Sequence, residues 1–131
     1  MKSDIDIKDD IYKIIKGSKL EKKVSGQLRK TIRPNDSNLE DIVISVLANN
    51  NGQMQEAYVN VNVYVPDVIR DNQNEENSSR LRTLCKESHE LLNVGRGTDF
   101  RFMLESQRVL EVNGKDEHVI NNKLLYKQNN E

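Results

Sequence analysis

Cysteine is the first scarcity: Cys85 is the only one among 131 residues, which excludes an internal disulfide framework and any metal site built from several thiolates. No apolar run approaches eighteen residues, so no membrane-spanning helix is expected. The N-terminus is acidic and polar and lacks the apolar segment of a signal peptide, so the expectation is an intracellular, soluble chain. An excess of one charge is missing too, with 20 Lys and Arg against 21 Asp and Glu and a formal net charge of -1. A dedicated nucleic-acid binder is usually basic as a whole, which disfavours that class. Apolar residues make up 35% and charged residues 31%, predicting a lean core beneath a very polar surface. The apolar residues are bunched into periodic runs, which argues against disorder. The length suits a single α+β domain over residues 1–131, with residues 127–131 as a loose tail.

Periodicity then sets out the elements. Ser3 to Lys16 carries Ile7, Ile11, Ile14 and Ile15 at helical spacing, acids early and lysines late, with Gly17 as a stop, which predicts a helix. Ser18 to Gly26 reads as a loop or short frayed turn, and Gln27 to Arg33 as a first strand closed by Pro34. Asp41 to Ala48 is nearly continuous in apolar residues and suits a central strand covered on both faces. Asn49 to Gly52 predicts a hairpin turn. The return strand is the clearest signal in the chain: Ala57, Val59, Val61, Val63 and Val65 alternate with Tyr58, Asn60, Asn62 and Tyr64. One face is then aliphatic, and the amide and phenol face is left for water or another protein.

After Pro66, Asp67 to Asn77 reads as a polar connection into a helix capped by Ser78 or Ser79. Leu81, Leu84, Cys85, Ser88, Leu91 and Leu92 form its apolar stripe. Two strands follow, Phe100 to Val112 and His118 to Tyr126, joined at Asn113-Gly114, a strong hairpin signal. The predicted order is α-β-β-β-α-β-β: one five-stranded, largely antiparallel sheet with two helices on one face.

No catalytic constellation emerges, and no enzyme, metal or cofactor is expected. The two histidines, His89 and His118, lack further ligands at metal-binding spacing. Cys85 and His89 are one helical turn apart, but no third orienting group accompanies them, and a small buried hydrophobe is the plainer reading of Cys85. The acidic pairs Asp9-Asp10, Glu40-Asp41 and Glu75-Glu76 diverge on a helix or strand and read as caps and turn residues. Gly95-Arg96-Gly97 lacks the third glycine and the preceding strand of a phosphate loop.

Charge is segregated along the chain. Ile11 to Arg33 holds eight bases (Lys13, Lys16, Lys19, Lys22, Lys23, Arg29, Lys30, Arg33) and one acid, whereas Pro34 to Ser79 holds eight acids and one base, Arg70. Opposed surfaces of this kind suit head-to-tail packing of identical subunits. The competing expectation is that the blocks intermingle on folding.

The N-terminal helix, Arg33-Pro34 leading into Glu40-Asp41-Ile42-Val43-Ile44, the strand Val59-Asn60-Val61-Asn62-Val63-Tyr64-Val65 ended by Pro66-Asp67, the long helix after Ser79 and the closing strand together resemble the tail-terminator or tail-completion proteins of long-tailed bacteriophages and prophages. The resemblance implies a small α+β subunit that forms a ring, typically a hexamer, at the head-proximal end of the tail tube. Such a subunit would stop tube growth and offer the neck a docking surface. Its partners would be copies of itself and tail-tube and neck proteins, first in the cytoplasm and then in the virion, with no membrane or nucleic acid involved. Tyr58, Asn60, Asn62, Tyr64, Arg29, Arg33, Asp67 and Arg70 are the interface candidates. The alternative is a nucleic-acid-binding or nuclease accessory domain using Lys19, Lys22, Lys23, Arg29, Lys30 and Arg33.

Overall fold

The computed structural model describes residues 1–128. Helix α1 (Asp4–Ile15) begins in a capping box: Ser3 accepts from the Asp6 amide while the Asp6 side chain reaches back to Ser3. Ile7, Ile11 and Ile15 are fully buried along one stripe of it, and Gly17, at φ +79°, lets the chain turn away. The expected loop after it contains a short helix, α2 (Lys19–Lys23), capped by Ser18 and anchored by the buried Leu20.

The predicted first strand shrinks to β1 (Leu28–Arg29). Its parallel neighbour is β2 (Ile42–Asn50), with Leu28 opposite Ile42. The remainder of the expected strand leaves the sheet, since Lys30 is drawn to Asp9 and Arg33 to Asp41 and Glu117. β2 is buried only at its start. A bulge between Val46 and Ala48 turns Leu47 outward, 59% exposed, so this strand is covered on both faces over Ile42 to Ile44 and not beyond.

β3 (Gln55–Pro66) alternates buried and half-buried residues along its whole length. It pairs antiparallel with β2 across a turn at residues 51–54, the predicted hairpin displaced by two residues. The polar connection holds an unpredicted hairpin, β4 (Val68–Arg70) and β5 (Gln73–Glu75), which forms a separate two-stranded sheet. Helix α3 (Ser78–Leu92) is capped by Asn77, not by either serine, because the Asn77 side-chain Oδ1 is the one that accepts from the Arg80 amide. Its predicted stripe is in place: Leu81, Leu84, Ser88 and Leu92 are buried, with Cys85 and Leu91 partly so.

The short strand β6 (Val94–Arg96) then pairs with β7 (Phe100–Glu111), and β7 turns through Asn113 and Gly114 into β8 (Glu117–Gln128). Gly95 is required where the Phe102 ring lies across it, in space a β-carbon would occupy. β8 runs to Gln128, so Lys127 and Gln128 belong to the sheet, while the remainder of the expected tail, 129–131, lies outside the described residues.

The architecture is α+β. Among the described residues the main sheet, in order β1-β2-β3-β8-β7-β6, has six strands instead of five and is mixed, with β1 parallel and the rest antiparallel. Three helices, not two, among the described residues complete one core with the aliphatic face of β3, Ile42, Ile44, Ile120, Leu124 and Tyr126. Burying each such side chain stabilises the fold by about 1.5–3 kcal/mol before chain entropy is counted.

Candidate functional site

Among the described residues the helices bury one face of the sheet and leave the other without a helical layer. Alternation along β3 puts Tyr58, Asn60, Asn62 and Tyr64 on that second face. The β3–β8 register sets Tyr58 beside Leu125, Asn60 beside Lys123, Asn62 beside Asn121 and Tyr64 beside Val119. Asn121 Nδ2 donates to Asn62 Oδ1 at 2.8 Å and to Asn60 Oδ1 at 3.1 Å, tying the amides into a ladder. A cation sits on the tyrosine at each end: Lys123 Nζ is 4.6 Å from the Tyr58 ring centroid, and the Arg33 guanidinium 4.2 Å from that of Tyr64. The row is half-buried, ordered by its own contacts, and polar with aromatic ends.

The same face continues across β7 to β6. Met103 lies opposite Leu125 and Val94 opposite Met103, and these three form the floor of an open groove of about 420 Å³ rimmed by Arg96, Arg101 and Lys127. At the other end of the strands lies a polar cleft of about 660 Å³ bordered by Asp67, Glu75, Glu76, Glu111, Glu117 and His118. There His118 Nδ1 is 2.7 Å from Asp67 Oδ1. Among the described residues no group of three His, Cys, Asp or Glu side chains is arranged to hold a metal ion.

The remaining interface candidates lie apart from this row or serve internal contacts. Arg33 Nε donates to Asp41 Oδ2 at 2.7 Å, Nη1 to Glu117 Oε2 at 2.6 Å and Nη2 to the Leu39 carbonyl at 2.8 Å. Burial by itself would lower the Arg33 pKa, but Glu117 and Asp41 outweigh it and hold the value above its ordinary range. Burial would likewise raise the Asp41 carboxyl, yet hydrogen bonds from Ser37, Arg33 and the Gln27 amide hold it below the usual carboxylate range. Arg29 is half-buried in β1, with Nη1 3.4 Å from Gln27 Oε1, and Arg70 is exposed on β4, 3.2 Å from Glu75.

Arg33 crosses from the basic block to the acidic one at Asp41, whereas Lys30 pairs with Asp9 and Lys23 with Glu87, acids that lie outside both blocks. Arg80 binds both carboxylate oxygens of Glu40, at 2.6 and 2.9 Å, and also donates to the Lys23 carbonyl. Of the six residues of the nucleic-acid alternative, Lys19 and Lys22 stay exposed on α2, whereas Lys23, Lys30 and Arg33 sit in ion pairs. Cys85 is half-buried and burial pushes its thiol up, the opposite of what a thiolate nucleophile requires.

Sequence reasoning missed the groove, because Val94, Met103 and Leu125 are far apart in the chain and only strand pairing collects them. It missed the Asp67–His118 contact for the same reason. The β4–β5 hairpin did leave a signal, Asp71-Asn72, two residue types that tolerate positive φ. No protein-family model matches the chain, and no match is found among curated proteins.

Proposed function

We propose that this chain is a structural assembly subunit of the phage tail-terminator kind, which closes the tail tube as a ring of identical copies and forms the surface that the head or neck joins. The observation that carries this reading is the helix-free sheet face, where Tyr58, Asn60, Asn62, Tyr64, Asn121 and Lys123 form an ordered polar and aromatic row. Prearranged side chains of this kind lose little entropy when a partner covers them. The helix and strand order that resembles tail terminators points the same way. The ring, with six copies as the family norm, would assemble in the cytoplasm and remain at the head-proximal end of the tail.

Light scattering over a range of protein concentrations, together with electron microscopy of the chain added to purified tail tubes, tests the reading. Rings in solution or caps on tube ends are the expected result, and Asn60→Asp with Asn62→Asp should weaken them without unfolding the chain. A protein that stays monomeric and also fails to cap tubes overturns it. Tight, steeply salt-dependent binding to a short duplex would favour the nucleic-acid alternative instead.

A further inference from the structure

The β4–β5 hairpin is an arm with an apolar contact residue, Ile69, that nothing among the described residues covers. Asp71 and Asn72, at φ 52° and 63°, make the two-residue turn. Residues Ile69 to Glu76 are all exposed. Val68 turns partly inward, while Ile69 points away from the body and is 76% exposed. Such an isolated two-stranded arm is marginal in water and gains from being covered. The segment 67–76 also carries four carboxylates, Asp67, Asp71, Glu75 and Glu76, against the single Arg70.

The groove on the sheet has the complementary character. Its floor is Val94, 68% exposed, with Met103, 50% exposed, and Leu125. Arg96, Arg101 and Lys127 stand around it, with Glu56, 3.5 Å from Lys127, as the nearby acid. One chain cannot bring its own two surfaces together. The hairpin leaves the sheet beside the Pro66–Glu117 pair, and Leu125 lies eight residues farther along β8, about 26 Å at 3.3 Å per residue. The three-residue arm spans about 10 Å.

We infer that the β4–β5 hairpin of one copy seats Ile69 on the Val94, Met103 and Leu125 floor of a second copy, with the net-acidic arm, Asp71 at its tip, set among Arg96, Arg101 and Lys127. This rests on the reading of the chain as a self-assembling subunit and adds which surfaces meet. The contact is heterologous, so each copy keeps one free arm and one free groove. Repetition closes a ring or extends a helix. Opposite charge orients the encounter, and the buried apolar contact holds it.

Photo-crosslinking of the full chain with p-benzoylphenylalanine in place of Ile69 tests the contact directly. Crosslinks between copies should map to residues 94–96, 101–103 or 125–127 and fall at least tenfold in Met103→Glu, whose exposed site keeps the fold intact by circular dichroism. A mixing experiment reads the polarity. Ile69→Asp and Met103→Glu should each fail to associate alone, and together they should form dimers and nothing larger, through the one intact arm and the one intact groove. Crosslinks that map elsewhere or are absent, or a mixture that restores no dimer, overturn the inference. If the unsubstituted chain still forms rings in that case, the assembly reading stands and only this pairing of surfaces falls.

Discussion

The Arg33 guanidinium lies over the Tyr64 ring, 4.2 Å from its centroid, and from that position it bridges Asp41 at the start of β2 and Glu117 at the start of β8. Both carboxylates are nearly inaccessible, with side chains 1% and 5% exposed. One side chain thus connects the irregular segment after β1 to two strands of the sheet and to one end of the polar row.

Arg33→Ala should therefore be among the most damaging single changes. It leaves Asp41 and Glu117 buried without their cation, at a cost of about 3 kcal/mol or more. Arg33→Lys should recover only part of this, because a compact ammonium cannot serve Asp41, Glu117 and the Leu39 carbonyl together. Urea denaturation midpoints measure both, and an Arg33→Ala midpoint equal to that of the unsubstituted chain would refute the expectation.

Acid should undo the same cluster. The Asp41 pKa is lower in the folded chain than in the unfolded one, where an aspartate sits near about 3.9. Its contribution is whole above about pH 4 and is lost as pH falls through the lowered folded value. Asp41→Asn should cost stability at neutral pH and flatten the acid limb of a stability profile, which urea titrations at stepped pH would record.

Alkali should act through Tyr126. This fully buried phenol donates to Asp10 Oδ2 at 2.6 Å, and burial followed by the Asp10 carboxylate raises its pKa far above the ordinary value. The folded chain holds that proton more tightly, so this stability is complete below about pH 10 and is lost as pH rises further. Tyr126→Phe should remove the alkaline limb for about 1 kcal/mol at neutral pH, since Asp10 keeps its ion pair with Lys2 at 2.6 Å. An unchanged alkaline midpoint in Tyr126→Phe would count against this account.

Ser88 offers a change in the opposite direction. It is fully buried on α3, and among the described residues its hydroxyl has no hydrogen-bond partner. Ser88→Ala removes that unsatisfied group and improves helix propensity, so stability should hold or rise by about 1 kcal/mol. Leu84→Ala, one turn earlier on the same stripe, should lose about 2–5 kcal/mol. Thermal melts of the pair compare the two effects on one helix.

Local sequence carried much of the fold. The period of two in β3, the stripe of α3, the isoleucines of α1 and the Asn113-Gly114 turn each report a pattern that a single element imposes on its own residues, so they are legible without a partner. The short elements were not, or, for β1, only as an overlong strand: α2, β1, β6 and the strands β4 and β5 are each five residues or fewer. Over such lengths, caps and neighbours outweigh periodicity. Ser18 capping α2 and the Glu40 carbonyl accepting from the Gly26 amide beside β1 are examples.

What the sequence by itself determined is the two-sidedness of the central strand: valines on one side, amides and phenols on the other, because alternation is a property of any extended chain. Only the tertiary structure decided what each side met. Strand pairing set Asn121 between Asn60 and Asn62, gathered Val94, Met103 and Leu125 into a groove, and drew Arg33 inward to Asp41 and Glu117. The physical reason is reach: a residue's own identity sets its preference for water or core, but its partner comes from another part of the chain, and only register and packing bring the two within contact distance.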